Sequence, residues 1–575
     1  MLPAVRIVQP GSTPASITPS TVTALGEPTG MPVGPGWKPP PDGTGLGFAE
    51  LVGAPADVPA VGRSVEPEPG CTVAFPQAAS SRAAPATARV DRARNRTVTM
   101  CRRTYRAPAG FPDRRAVRTG RTVAAVTSVL WFRRDLRLGD NPALLAARDA
   151  GGDGVLPLFV LDDALRRPSG APRLAFLYRA LRALDEAVGG RLVVLPGPPE
   201  SVVPRVAEEV GASSVHVAAD FGPYGRERDG RVEAALPGGV PLVRTGSPYA
   251  VAPGRVRKDD GTPLRVYTPF YRAWLRHGWR APARSADVSV RWLTGVDSTG
   301  VPADPDLPAG LRLPEAGEAA ALDRWAEFRD SAVGRYADHR DRPDLPGTSR
   351  LSVHLKYGTV HPRTLLADLS GRTGQGAETF RRELAWREFY ADVLWHEPRS
   401  ARECLNTRFA ALELDSDQDR FAAWAEGRTG YPIVDAGMRQ LRAEAWVHNR
   451  IRMIVASFLV KDLHLDWTVG AREFLRRLVD GDLASNNHGW QWVAGCGTDA
   501  SPYHRVFNPI TQGRKFDPAG DYVRRYVPEL RSVDGPAVHA PWELPDGPPE
   551  GYPARIVDHA AARAEALARY EKVRR

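Results

Sequence analysis

The thirteen residues Asp480-Gly-Asp-Leu-Ala-Ser-Asn-Asn-His-Gly-Trp-Gln-Trp492 bring together two carboxylates, two asparagine amides and two indoles. Burying that many polar groups is costly unless each finds a partner. Two tryptophans beside them point to a flat aromatic ligand or a route for electrons. Two further stretches carry mixed chemistry at helical spacing. Glu383, Trp386, Arg387 and Tyr390 stand at i, i+3, i+4 and i+7, and Trp446, Asn449, Arg450 and Met453 repeat that spacing. Each set is expected on one helix face. Apolar planes with polar tips suit a pocket wall; amphipathic packing with a few satisfied polar groups is the alternative. Gly347-Thr-Ser-Arg-Leu-Ser352 is a hydroxyl-rich turn before an expected helix. Its hydroxyls and backbone N–H groups could hold a phosphate, although Ser and Thr also cap helices routinely.

The elements that must position these groups fall into two kinds. Strand-like Ser128–Phe132, Val155–Leu161, Arg191–Leu195 and Ser214–Ala219 alternate with helical patterns, the first opening at Asn141 with Pro142 in its first turn. This alternation predicts a doubly wound parallel sheet. No GxGxxG turn follows the first strand, so a nicotinamide-type role is unsupported. We expect an α/β domain over 127–256, a connector over 257–318 and an all-helical domain over 319–575. Residues 1–126 are rich in Pro, Gly and Ala without apolar periodicity and read as a disordered extension.

That extension also carries much of the charge. It holds 15 Lys+Arg against 8 Asp+Glu, a net +7 of the chain's formal +10. Any nucleic-acid argument therefore rests on local arginines rather than on net charge. The four cysteines form no CxxC pair, so neither a disulfide framework nor a metal site is expected. No apolar run is long enough to span a bilayer and no signal peptide is evident, so the expected compartment is the cytoplasm.

Together, TSRLS (348–352), WREFY (386–390), WVHNRIRM (446–453), GDLASNNHGWQW (481–492) and FNP (507–509) resemble the DNA photolyase/cryptochrome family from about residue 128 onward. The resemblance is greatest to class I cyclobutane pyrimidine dimer photolyases of the deazaflavin-antenna type. It implies an α/β antenna domain, a helical domain holding FAD, and light-driven electron transfer from reduced FAD to a flipped-out dimer in DNA. By resemblance, Tyr336, Thr348, Ser349, Arg350, Leu351 and Ser352 surround the FAD phosphates and Arg387 lies along the flavin. Arg452 pairs with Asp480 beside the ring, Asp482 contacts it, and Asn486 faces flavin N5. Trp386 and Trp492 would stack on the dimer. Glu383 would hydrogen-bond its bases, assisted by Asn449, with Met453 packed alongside. Arg340, Arg450, Arg505 and Lys515 are expected at DNA phosphates or the pocket rim. A cryptochrome-type blue-light receptor without repair is the alternative, and a monomer is expected.

Arg173, Asp220 and Lys356 resemble the residues that hold an 8-hydroxy-5-deazaflavin antenna; the folate-binding pattern is not visible. Trp490 and Trp467 match the inner and middle members of the family's electron-transfer chain. The outer position is Leu414, which cannot carry a hole. His488 is expected to be a packed or solvated histidine.

Overall fold

The computed structural model describes residues 127–286 and 288–574; the extension expected over 1–126 lies outside the described residues. Strands β1 (Thr127–Phe132), β2 (Gly154–Leu161), β3 (Val193–Pro196), β4 (Ala212–Val217) and β5 (Leu242–Arg244) form a parallel sheet in the order β3-β2-β1-β4-β5. Every residue of β1 is buried. Leu130 and Phe132 face a core shared with helices Pro142–Ala150 and Ala171–Ala187, whereas Val129 and Trp131 face a core shared with helix Pro199–Glu209. Successive side chains thus serve opposite layers, as a strand covered on both faces requires. Asn141 caps its helix through Oδ1, which accepts from Leu144 N–H at 3.2 Å. β5 carries no clear sequence signal: it is a three-residue edge strand.

The connector is less irregular than expected. It contains a helix, Tyr267–His277, that packs on the long helix Gln375–His396. Glu388 of that long helix accepts from Trp274 Nε1–H at 2.7 Å and, from the chain before the connector, from Val251 N–H at 3.0 Å. The chain then returns to the sheet, where Leu293 N–H donates to Val155 O at 2.9 Å.

Beyond Glu318 the fold is helical. Helix Leu483–Ala494 packs against helices 375–396, Asn449–Ser457 and Trp467–Arg477. Gly470 permits the last of these approaches: a Cβ there would lie 2.2 Å from Cη2 of Trp490. Gly358 does the same between the two halves of the molecule. Its φ is +68° and a Cβ would meet Arg134 O at 1.9 Å, so only glycine fits. The Trp446 set departs from expectation. Ala445 adopts φ +50° and the helix starts only at Asn449, so Trp446 does not share a helix face with Asn449 and Met453.

Candidate active site

The Leu483–Ala494 helix and the turn before it organise the polar groups. Asp480 Oδ2 accepts from Arg452 Nη2 at 2.8 Å, and Arg452 Nε–H donates to Val447 O at 2.9 Å, which locks the guanidinium in place. Asp480 Oδ1 is buried and meets no donor among the described residues. Asp482 caps the helix, accepting from Ser485 N–H at 3.2 Å, while its other oxygen accepts from Arg134 Nη2 at 2.7 Å. Burial alone would raise the pKa of Asp482. The charges of Arg134, Lys356 and Arg387 outweigh burial and hold the carboxyl well below the usual range. Asn486 spends both N–H donors, on Ala471 O at 3.1 Å and Asn487 Oδ1 at 2.9 Å, so its own Oδ1 is the pole left for a ligand.

The hydroxyl-rich turn is held from a residue the sequence did not single out. Arg324 donates to Ser349 O at 2.8 Å and to Thr348 O at 3.1 Å. Arg350 has φ +53°, a left-handed conformation that costs a non-glycine residue about 1–3 kcal/mol. Its side chain turns away, to Glu444 at 3.2 Å and over the Trp446 ring at 4.3 Å. Arg350, expected beside the FAD phosphates, thus has its guanidinium directed to Glu444 and Trp446. Leu351 is buried, Ser352 is exposed at the helix start, and Tyr336 is buried against Phe328 and Phe380. Arg387 donates to Pro248 O and Leu355 O, each at 3.0 Å, so it also ties the helical part to the sheet.

The wall contributed by helices 375–396 and 449–457 is more tightly paired than expected. Glu383 Oε1 meets Arg340 Nη1 at 2.7 Å, and the Arg340 side chain is only 7% exposed. Arg450 is 2% exposed, paired with Asp341 at 2.8 Å and set over Phe516 at 4.4 Å. Both arginines are thus enclosed and face carboxylates of this wall. Lys515 is exposed and Arg505 partly so. Trp386 stacks on Tyr267 with centroids 3.7 Å apart and planes 9° from parallel; the pattern of sequence around Tyr267 gave no sign of this. Met453 and Trp492 are buried, and Asn449 is exposed at the helix start.

Trp490 meets Phe474 and Trp424 edge-on, at 5.0 and 6.1 Å. It rests on Gly470, one turn beyond Trp467 on the same helix, which puts the two tryptophans against neighbouring turns, spaced by a rise of about 5.4 Å per turn. His488 is packed: its ring stacks on Tyr390 at 5.5 Å, Nδ1 pairs with Ala484 O at 2.9 Å and Nε2 with Ser400 Oγ at 3.0 Å.

A second polar cluster lies at the carboxyl ends of β1 and β4, where the strand order reverses and α/β sheets open a ligand crevice. Asp220 pairs with Arg228 at 3.1 Å. Burial pushes Lys356 down to about 7, with Arg134 and Arg173 acting the same way against Asp482 and Asp480. Arg173 Nε is buried with no acceptor among the described residues. The three expected antenna residues therefore belong to one charged neighbourhood, although Asp220 is already committed to Arg228.

An α/β sheet domain joined to a helical domain, with partly buried Arg–Asp pairs beside an indole-rich helix, makes a site suited to a large aromatic ligand. Two family models match the chain: DNA photolyase over residues 128–287 and the FAD-binding domain of DNA photolyase over 380–572. A deoxyribodipyrimidine photo-lyase of Streptomyces griseus is 45% identical over 462 residues, covering 78% of this chain and 99% of that protein. A class III photolyase from Agrobacterium tumefaciens superposes with a TM-score of 0.72 at 38% identity, covering 80% of this chain and 99% of its own. An archaeal photolyase from Sulfolobus tokodaii solved with two FAD molecules gives 0.64 at 30% identity, covering 78% and 100%. The chain belongs to the DNA photolyase family.

The residues present fit FAD. Asp480 Oδ1 is an orphaned buried acceptor beside the fixed Arg452, Asn486 offers a carbonyl oxygen, and the 348–352 turn offers hydroxyls. No helix among the described residues is long and apolar enough to cross a membrane.

Proposed function

We propose that the chain repairs cyclobutane pyrimidine dimers in DNA under light, with the Glu383–Trp386 wall as the lesion pocket and the Asp480–Asn486 segment as the flavin floor. The observation that carries this reading is the junction of the two on one helix bundle: helix 483–494 supplies Asn486 to one side and packs on the helix bearing Glu383 and Trp386. Bound in its reduced form, FAD supplies the photoexcited electron that splits the dimer. Arg452, fixed by Asp480, would stabilise negative charge on the ring. Asn486 Oδ1 would accept an N–H at the ring edge, which favours the reduced cofactor.

In the lesion pocket, Glu383 is oriented by Arg340 and would accept a pyrimidine N–H. Asn449, exposed at the start of its helix, would assist by donating to the base carbonyls. Photolyases are among the enzymes that extrude their target base, at a cost of a few kcal/mol that is smaller for a damaged step. Stacking contributes about 1–3 kcal/mol per base, so Trp386 and Trp492 together offset that cost. Tyr267, stacked behind Trp386, keeps the indole plane fixed. Neither general-base chemistry nor hydrolysis is needed.

The antenna in this reading is an acidic 8-hydroxy-5-deazaflavin rather than folate. Its support is the open Arg173 donor and the Lys356 amine at the sheet's switch point. The electron route is Trp490 to Trp467, with Leu414, 41% exposed, unable to extend it. The working form is a cytoplasmic monomer. Binding in darkness tests the lesion role. The protein is expected to prefer an oligonucleotide containing one thymine dimer over the undamaged sequence, and equal affinity would leave a flavoprotein with no lesion pocket.

A further inference from the structure

Two cysteines of the helical part meet at the wall of a cavity of about 340 Å³ that also takes in Trp467, Phe409, Leu414 and Asp466. The two thiols lie within hydrogen-bonding reach of each other. Trp467 Nε1–H donates to the same sulfur at 3.3 Å. The two chain segments are clamped beside these contacts: Asn406 N–H donates to Cys496 O at 2.8 Å and Leu405 N–H to Gln491 Oε1 at 2.9 Å. Cys496 is buried and Cys404 is half-buried, so Cys404 is the thiol that a reagent in the cavity reaches.

The hydrogen bond from Cys496 lowers the pKa of Cys404, against burial, and Trp467 adds to the effect; the same contact and burial raise Cys496. An electron-rich sulfur in contact with an indole N–H is an easily oxidised neighbour for that indole. Leu414, which also lines the cavity, has no π-system to offer. We propose that Cys404 and Cys496 form a redox-active dithiol that returns electrons to oxidised Trp467 and closes to a disulfide after two of them have left. This rests on the reading above that Trp467 carries oxidising equivalents away from the flavin.

Each step balances. An oxidised Trp467 ring takes one electron from Cys404 Sγ and is restored, and the thiol proton passes to Asp466 or to water in the cavity. A second oxidised Trp467 takes the second electron from the sulfur pair. Two S–H bonds are lost, one S–S bond forms, and two protons leave. Reopening requires an external dithiol: its thiolate attacks the disulfide, and it departs oxidised. The cavity is the entry path for that reagent.

The test uses the full-length, FAD-loaded protein with its flavin oxidised, free of oxygen and of added thiol, under blue light. Flavin absorbance is followed while the four cysteines are alkylated and counted by mass spectrometry. The proposal expects loss of two alkylatable thiols for each two-electron reduction, recovered as a Cys404–Cys496 cross-link. Darkness and Trp467→Phe should both leave the two thiols intact. Cys404→Ser should lose light-driven reduction without added thiol yet still be reduced by dithionite. Flavin reduced in the light with both thiols still alkylatable would overturn the dithiol and leave the flavin reading standing. Cross-linking that survives Trp467→Phe would overturn the route, and a protein that takes up no flavin would overturn both.

Discussion

Replacing Glu383 by alanine should strip the partner from a guanidinium that cannot reach water. Arg340 is 7% exposed and its Nη1 lies 2.7 Å from Glu383 Oε1. Removing one member of a buried ion pair costs about 3–5 kcal/mol because the other charge is left uncompensated. Two features reduce that figure here. The Glu383 side chain is 26% exposed, and an Asp341 carboxylate oxygen stands 4.0 Å from Arg340 Nε. The expected loss is therefore at the lower edge, about 3 kcal/mol. Glu383→Gln keeps an acceptor for Arg340 and should lose only about 1 kcal/mol. The double variant Glu383→Ala with Arg340→Met removes the orphaned charge and should recover most of the loss. Urea denaturation of the FAD-loaded proteins reads these differences as shifts in midpoint, and repair per absorbed photon should fall in the alanine and double variants while flavin content stays constant. A wild-type midpoint for Glu383→Ala, or a double variant no more stable than the single one, would refute the pairing argument.

Three further outcomes follow from the geometry. Arg324→Ala frees the carbonyls of Thr348 and Ser349; losing charge-assisted bonds of about 1.5–3 kcal/mol should weaken FAD affinity roughly tenfold or more, read by flavin fluorescence on dilution. Burial lowers both Lys356 and Lys461 to about 7, whereas an unfolded lysine keeps its proton to about pH 10.4. The unfolded chain thus binds more protons between those values, so stability should rise from pH 7 towards 10, and Lys356→Met or Lys461→Met should flatten the rise in thermal unfolding. Light-driven flavin reduction should be slow, should nearly vanish in Trp467→Phe, and should leave repair by chemically reduced protein unchanged; fast reduction surviving that substitution would show another route.

What was legible in the sequence follows from the range of the forces involved. The Asn141 cap, the β1 run and the spacing of Glu383, Trp386 and Arg387 are local, and each stands where its pattern implied. The Tyr267–His277 helix was hidden because Pro269 and the surrounding Pro/Gly-rich chain mask its periodicity. Trp446 was drawn onto a helix face by spacing alone, which cannot register the left-handed Ala445 that delays the helix. Partners distant in sequence left no trace: Arg134 reaches Asp482, Arg340 turns inward to Glu383, and Arg324 grips a turn from another helix. Arg340 and Arg450, expected at DNA phosphates or the pocket rim, pair inward with Glu383 and Asp341, since sequence reports charge but not which way the side chain points.

The site is proposed to move an electron from reduced flavin to a dimer in DNA. The chemically reduced protein, mixed with an oligonucleotide carrying one thymine dimer, should remove the dimer in blue light and not in darkness. Unchanged dimer in the light, with FAD bound and reduced and the lesion bound, would contradict it.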